Sequence, residues 1–269
     1  MIEKTYHFIS GLPRSGSTVL SALLNQNPEV YVTPTSCMLD QLIENQNIWH
    51  NLQTVKANPI PVQLDNVTRE LINAIWKHRS ENIILDKNRG WGKNMPAAEI
   101  LFGQKMKMVC VVRDLPSIMA SWLVLLRNNP GNYMDNLLVE KRLMINDANR
   151  MQEMWDNMVR DCFEAVAAAL RDARKQVLLV WYDDLVAKPE YELERITNFL
   201  SLPKFNYNIN NIQSNTNDDD LSAWGLDGMH RVRSRLEKVS KNPREILGEE
   251  LYRKFQSIDD TFWYEVKQR

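Results

Sequence analysis

Residues 7–28 read HFISGLPRSGSTVLSALLNQNP. A short strand-like run, 7–10, enters a turn bounded by Gly11 and Gly16, and a helical pattern leaves it at Ser17. Strand, glycine turn and helix in that order, with Gly-x-x-x-x-Gly spacing, fit a phosphate-binding loop. Such a loop offers backbone N–H groups at a helix N-terminus to an anion. It also commits the chain to an α/β architecture, because the strand that feeds the loop must be buried in a parallel sheet. In a nucleoside triphosphate site the second glycine is followed by a lysine that reaches the β- and γ-phosphates, then by a hydroxyl residue on Mg²⁺. Here Gly16 is followed by Ser17 and Thr18, and the basic residue is Arg14, with Ser15 beside it. A compact anion with one 5′-phosphate carrying a small activated group suits that loop better than a triphosphate.

Three further apolar runs, 83–86, 107–112 and 177–181, read as parallel strands buried on both faces. Helical patterns lie between them at 17–25, 38–52, 67–78, 116–126 and 191–200. Residues 132–188 contain neither Gly nor Pro, and 137–174 reads as one long or two stacked helices. Met144, Ala148, Met151, Trp155, Met158, Cys162 and Val166 recur there at helical spacing, the signature of a buried face. The expected fold is α/β, a P-loop-like three-layer sandwich with a central parallel sheet and helices on both faces. Residues 206–220, with six Asn and three Asp, read as a mobile loop, and 228–235 add His230, Arg231, Arg233 and Arg235. No linker divides the chain, so 1–269 is expected to be one domain, with 206–242 as a mobile loop and basic segment.

Composition narrows the partners. The chain is 44% hydrophobic and 25% charged with a net charge of −1, an ordinary soluble composition with no global basic field for nucleic acid. The three cysteines, Cys37, Cys110 and Cys162, show no metal-ligand spacing and are expected to be reduced, the last two buried. No metal site is expected. The N-terminal residues carry no apolar secretory core, and no apolar window is long enough for a transmembrane helix, so a cytoplasmic protein is expected.

A second anion-binding feature is MVCVVRDLPSIMASW: Arg113 ends a buried strand and Ser121 follows eight residues later on the next helix. The two can converge on one phosphate at the carboxyl edge of the sheet. The alternative is that Arg113 pairs with Asp114 or caps a helix.

Together these stretches resemble the sulfotransferase family. PRSGST after a strand resembles its 5′-phosphosulfate loop, and strand–VVRD–helix with serine at plus eight resembles its 3′-phosphate motif. VWYDDL at 180–185 resembles a segment of protein-tyrosine sulfotransferases and their bacterial relatives, as do LDKNRGWG at 85–92 and GMHRVR at 228–233. The resemblance implies 3′-phosphoadenosine 5′-phosphosulfate (PAPS) as a small-molecule donor nucleotide and a sulfuryl acceptor left open: carbohydrate, peptide tyrosine, small alcohol or lipid. Carried over by position, Arg14, Ser15, Gly16, Ser17 and Thr18 would hold the 5′-phosphosulfate. Arg113 and Ser121 would hold the 3′-phosphate, Tyr182 would line the nucleotide site, and Arg233 would join from the basic segment. Lys87 matches a lysine on the sulfate.

The family's catalytic glutamate has no counterpart, because Thr35 occupies its position. Asp86, His230 and Asp40 are the substitutes for a general base, the first two ranked together, and Arg89 would orient the acceptor or the sulfate or else pair with Asp86. Two other functions fit parts of the pattern. A P-loop kinase or NTPase would use Asp86 as the Mg²⁺-binding carboxylate, and a non-catalytic nucleotide-binding module would explain the unfilled base position.

Overall fold

The computed structural model describes residues 4–214, 219–237 and 242–268. The chain runs β1 (Thr5–Gly11), α1 (Ser17–Leu24), β2 (Val30–Val32), α2 (Met38–Asn51), α3 (Gln53–Ala57) and α4 (Pro61–Ile75). It continues through β3 (Ile83–Lys87), α5 (Trp91–Phe102), β4 (Met108–Val112), α6 (Leu115–Asn128), α7 (Tyr133–Glu140) and α8 (Asp147–Met154). A π-helical turn, Trp155–Val159, leads into α9 (Arg160–Asp172), and β5 (Val177–Trp181), α10 (Tyr182–Ala187) and α11 (Pro189–Leu200) follow. The last elements are α12 (Asp220–Trp224) and α13 (Pro243–Gln268).

The five strands form one parallel sheet in the order β2-β3-β1-β4-β5. Alternation along the strands sorts the core. Ile9, Leu85, Val109, Val111 and Val180 pack under α1 and α11 on Leu20, Leu23, Leu193 and Ile196. Tyr6, Phe8, Ile84, Met108 and Cys110 face the other way, onto Met38 and Leu42 of α2, Trp91 and Met95 of α5, and Ala169 of α9. A third cluster joins α6, α8, α9 and α13 through Trp122, Met151, Phe163 and Phe255. The expected three-layer α/β architecture is therefore present.

Several elements differ from the sequence reading. There is a fifth strand, β2, whose three residues are too short to stand out as an apolar run. Helix α5 forms despite Gly92 and Pro96 inside it. Gly92 is required by packing, since a Cβ there would lie 2.4 Å from the Ala165 carbonyl oxygen of α9. The stretch 137–174, expected as one long or two stacked helices, is helical in three pieces, the last two joined through the π-helical turn. The first is N-capped by Asn132, whose side chain accepts from the N–H groups of Met134 and Asp135, and the chain reverses at Arg142 (φ 58°). Met144, expected in the buried stripe, falls in that reversal and is 76% exposed. Ala148 is exposed too, and the stripe holds from Met151 onward, with Cys162 and Val166 buried and Trp155 and Met158 partly so.

The expected mobile loop is held over 206–214. Gln26 receives the N–H of Asn208 at 2.7 Å and donates to the Asn208 and Asn211 carbonyls. The N–H groups of Leu236 and Ile212 donate to Ile209 and Ser234 at 3.0 and 2.9 Å, which ties this stretch to the basic segment. The same expectation also spans 215–218 and 238–241, which lie outside the described residues. Asp220 is helical, opening α12. No described helix is long and apolar enough to cross a membrane. Cys110 and Cys162 are buried and Cys37 is exposed, all three as free thiols.

Candidate active site

Glycine turns set the position of the loop between β1 and α1. At Gly11 (φ 120°) a Cβ would fall 2.1 Å from the Val111 carbonyl oxygen of β4, so only glycine lets β1 lie this close as it exits the sheet. Gly16 (φ 91°) caps α1, and a Cβ there would meet the Tyr182 ring at 2.8 Å. Arg14 also takes a left-handed conformation, φ 56°, a local strain that aims its side chain out of the loop. Ser15 is fully buried and donates its hydroxyl to the carbonyls of Leu12 and Val111 at 2.5 and 2.9 Å. That hydroxyl braces the loop from beneath. Ser17 and Thr18, at the start of α1, are part-exposed and line the cleft with Gly16.

The cleft, about 1050 Å³, opens at the carboxyl edge of the sheet. Arg14, Lys87, Arg89, Arg113, Ser121, Tyr182, His230 and Arg233 all line it, with Thr35 at the place of the missing glutamate. Arg113 lies over the Tyr182 ring, 4.4 Å from its centroid, and donates to the Arg14 carbonyl at 3.2 Å. Asp114 instead accepts from the Ser117 N–H at 2.8 Å and caps α6, so the pairing of Arg113 with Asp114 is not formed. Arg14 donates from Nε to Ser121 Oγ at 3.0 Å and from Nη1 to the Met229 carbonyl. The two anion-binding stretches thus meet in one place.

Electrostatics at this corner are unbalanced. Burial, then the charges of Arg113 and Arg89, pull the Arg14 guanidinium down to about 10, against the opposing influence of Asp220. Three arginines crowd together, and none of them forms an ion pair among the described residues. A bound anion would relieve both the desolvation and the repulsion.

Asp86 does not belong to this cleft. In the parallel register Phe8 pairs with Asp86 and Ile9 with Lys87, so the two neighbours point to opposite faces. Asp86 is fully buried under α2 and α5, where its carboxylate accepts from Ser36 Oγ at 2.5 Å and Trp91 Nε1 at 2.8 Å. Burial pushes its carboxyl up to about 6, with Ser36 and Trp91 holding it back. Strand alternation thus removes Asp86 from the candidates for general base and from Mg²⁺ chemistry in the cleft, and Arg89 does not pair with it. Asp40 is exposed and accepts from Asn88 Nδ2 at 3.3 Å, outside the cleft lining. Lys87 lines the cleft, its backbone N–H held by Thr33 Oγ1 at 2.7 Å.

His230 is the remaining candidate, and it comes with a partner the sequence reading missed. Asp220 Oδ1 lies 2.7 Å from His230 Nδ1, and Oδ2 accepts the His230 backbone N–H at 2.8 Å. The two are ten residues apart across a Gly-containing turn, a spacing with no local signature. Arg233 pairs with Glu237 at 2.6 Å on the rim. Tyr133, Trp122, Met158, Trp224 and Met229 form an apolar wall, also unforeseen, in which Tyr133 and Trp224 meet edge to face at 5.9 Å. Burial drives the Tyr133 phenol up to about 12, with Arg89 opposing. Among the described residues no group of three or more His, Cys, Asp or Glu side chains is arranged to hold a metal ion.

A model of the sulfotransferase family matches residues 7–206, most of the chain and all of the loop, Arg113–Ser121 and Tyr182. The chain belongs to the sulfotransferase family. It is 25% identical over 202 residues to protein-tyrosine sulfotransferase A of Caenorhabditis elegans, covering 73% of this chain and 50% of that protein. It is 24% identical over 203 residues to the protein-tyrosine sulfotransferase of Drosophila melanogaster, covering 73% and 38%. This sulfotransferase-family chain therefore spans about half the length, or less, of those relatives. Two solved structures share its fold. One is a sulfotransferase from Alicyclobacillus acidocaldarius (TM-score 0.52, 14% identity, 100% of this chain and 97% of that one). The other is the sulfotransferase domain of the curacin biosynthetic pathway (TM-score 0.51, 17% identity, 95% and 91%).

Proposed function

We propose that this chain, acting as one domain, transfers a sulfuryl group from PAPS to an acceptor hydroxyl. The observation that carries the reading is the convergence of Arg14, Arg89 and Arg113 beside the α1 N-terminus, where a lysine-free loop meets a strand-end arginine and a helix serine. The loop N–H groups with Ser17, Thr18 and Arg14 bind the 5′-phosphosulfate. Arg113 and Ser121 read the 3′-phosphate, and Tyr182 sits against Gly16 under Arg113, at the nucleotide. Ser15 contributes its backbone, since its hydroxyl is committed. Arg233 contributes charge to the rim after exchange from Glu237.

The acceptor oxygen forms a bond to sulfur while the bond from sulfur to the bridging oxygen breaks. That oxygen departs on the bisphosphate with the bonding pair. The acceptor proton passes to His230, and Arg14 and the loop N–H groups neutralise the departing phosphate. Lys87, next to the loop on β3, compensates the sulfuryl oxygens. No step in this scheme requires a metal. Composition and hydropathy favour a cytoplasmic setting for it. The apolar wall around Tyr133 and Trp224 receives the acceptor.

Calorimetry with 3′-phosphoadenosine 5′-phosphate and with AMP tests the donor assignment. The bisphosphate should bind far more tightly than AMP. An arginine–phosphate contact is worth on the order of 1.5–3 kcal/mol, so Arg113→Ala should weaken the bisphosphate roughly ten- to hundred-fold and leave AMP little changed. Equal affinity of the unmodified protein for the two nucleotides overturns the reading.

A further inference from the structure

Asp220 is 8% exposed and carries two hydrogen bonds to one residue, the ring and the backbone N–H of His230. The segment around this pair is fixed at several points. The Asn129 side chain accepts the Asp227 N–H at 2.9 Å and donates to its carbonyl at 3.4 Å. Gly225 approaches the Asn132 backbone so closely that a Cβ would lie 3.1 Å from Cα. Tyr133 packs on Trp224, and the Met229 carbonyl, one residue before His230, accepts from Arg14. So α12 and the turn after it are anchored on the α6–α7 junction and on the donor loop, and the imidazole is held at the cleft rather than carried by a loose loop.

From this geometry we propose that Asp220 is a positioning residue that acts through His230, fixing its Nδ1–H tautomer so that Nε2 is the basic nitrogen of the cleft. The inference rests on the sulfuryl-transfer reading for its catalytic meaning, while the pairing itself stands on the contacts. A carboxylate on Nδ1 stabilises the imidazolium that forms when Nε2 takes the acceptor proton, and it spares the ring a search among orientations. The acceptor O–H proton moves to Nε2 and Asp220 stays ionised. Arg14, whose guanidinium feels the Asp220 charge, adjoins the pair from the donor loop through the Met229 carbonyl.

The decisive measurement is the NMR tautomer state of His230 in the full chain. The chain has four histidines, so the His230 resonance is assigned by its loss in His230→Gln. In the unmodified protein the neutral ring should show the Nδ1–H tautomer. In Asp220→Asn it should shift toward Nε2–H. Asp220→Glu should restore much of the Nδ1–H signature, which separates positioning from a general loss of structure. With a small alcohol acceptor, Asp220→Asn should lower kcat ten- to hundred-fold and leave the bisphosphate Kd within a few-fold. In a His230→Gln background the same substitution should add little. An unchanged tautomer in Asp220→Asn overturns the proposal even if the protein transfers sulfuryl groups. Normal signatures with no bisphosphate binding overturn the sulfuryl reading and leave the pair in place.

Discussion

Asp86 and Lys87 are adjacent in sequence and on opposite sides of the sheet, and that alone divides their roles. The carboxyl of Asp86 ionises at about 6 in the fold, above the ordinary value of 3.8, because burial outweighs the Ser36 and Trp91 bonds. A carboxyl whose folded pKa is raised contributes stability that is fully present below about 4 and lost as pH rises through about 6. Asp86→Asn keeps the shape and removes that loss. Its stability relative to the unmodified protein should therefore improve by about 2–3 kcal/mol between pH 4 and pH 8, read from denaturant midpoints at each pH. Turnover should stay within a few-fold, and a hundred-fold drop with an intact fold would return Asp86 to the chemistry. Arg14 faces a different test. It bonds Ser121 and the carbonyl before His230, so it joins the β1–α1 loop, α6 and the basic segment. Arg14→Ala should lower kcat more than it weakens bisphosphate binding. Arg14→Lys should recover only part of the loss, because a point charge replaces a fork that makes two contacts at once. Normal turnover in Arg14→Ala would mean that the loop N–H groups suffice.

At the scale of elements, what the sequence discloses depends on how far a local signal outlasts its surroundings. β1, β3, β4 and β5 are legible because each carries a run of four or more strand-forming, largely apolar residues, and α1 because a glycine turn precedes it. β2 has three residues, and only the register Val30 to Ile83 identifies it as a strand. Helix α5 is hidden by Gly92 and Pro96, two residues that disfavour helices and are tolerated here by tertiary packing. Gly92 is the position where α5 crosses α9, and Gly92→Ala would drive a methyl into the Ala165 carbonyl. Overpacking of this kind costs about 1–3 kcal/mol, so the variant should melt several degrees lower while its bisphosphate affinity, measured well below that transition, is unchanged. A stability equal to the unmodified protein would show that the two helices can slide apart at no cost. The donor half of the site is legible for the same reason as β1: the loop, Arg113 and Ser121 are short motifs attached to strong strands. The Asp220–His230 pair is not, because Asp220 closes an Asn/Asp-rich run whose composition reads as loop, and the contact depends on the fold bringing two turns together.

Across the whole molecule, charge and cleft pull in different directions. The net charge is −1, yet among the described residues the cleft lining gathers seven arginine and lysine side chains (Arg14, Lys87, Arg89, Arg113, Arg231, Arg233 and Arg235) against one carboxylate, Glu237. Folding must therefore concentrate cations that repel one another, and the half-buried Arg14 bears part of that cost. An anionic ligand that binds only the folded state repays it by mass action, stabilising the protein by RT ln(1 + [L]/Kd), about 2.7 kcal/mol at a hundred times Kd. The bisphosphate should raise the melting temperature by several degrees, and AMP at the same concentration should do much less, since the proposed donor site puts the 3′-phosphate on Arg113 and Ser121. Screening sets a second expectation: these charges line a partly open cleft, so the shift should shrink as salt rises from about 0.05 to 0.5 M. Arg113→Ala should lose most of the difference between the two nucleotides. It should also melt no lower than the unmodified protein in the absence of nucleotide, because removing one of three crowded guanidiniums relieves repulsion on Arg14 and offsets the lost contacts to the Arg14 carbonyl and the Tyr182 ring. A thermal shift that is the same for AMP and bisphosphate, or that persists in Arg113→Ala, would place the nucleotide elsewhere in the cleft.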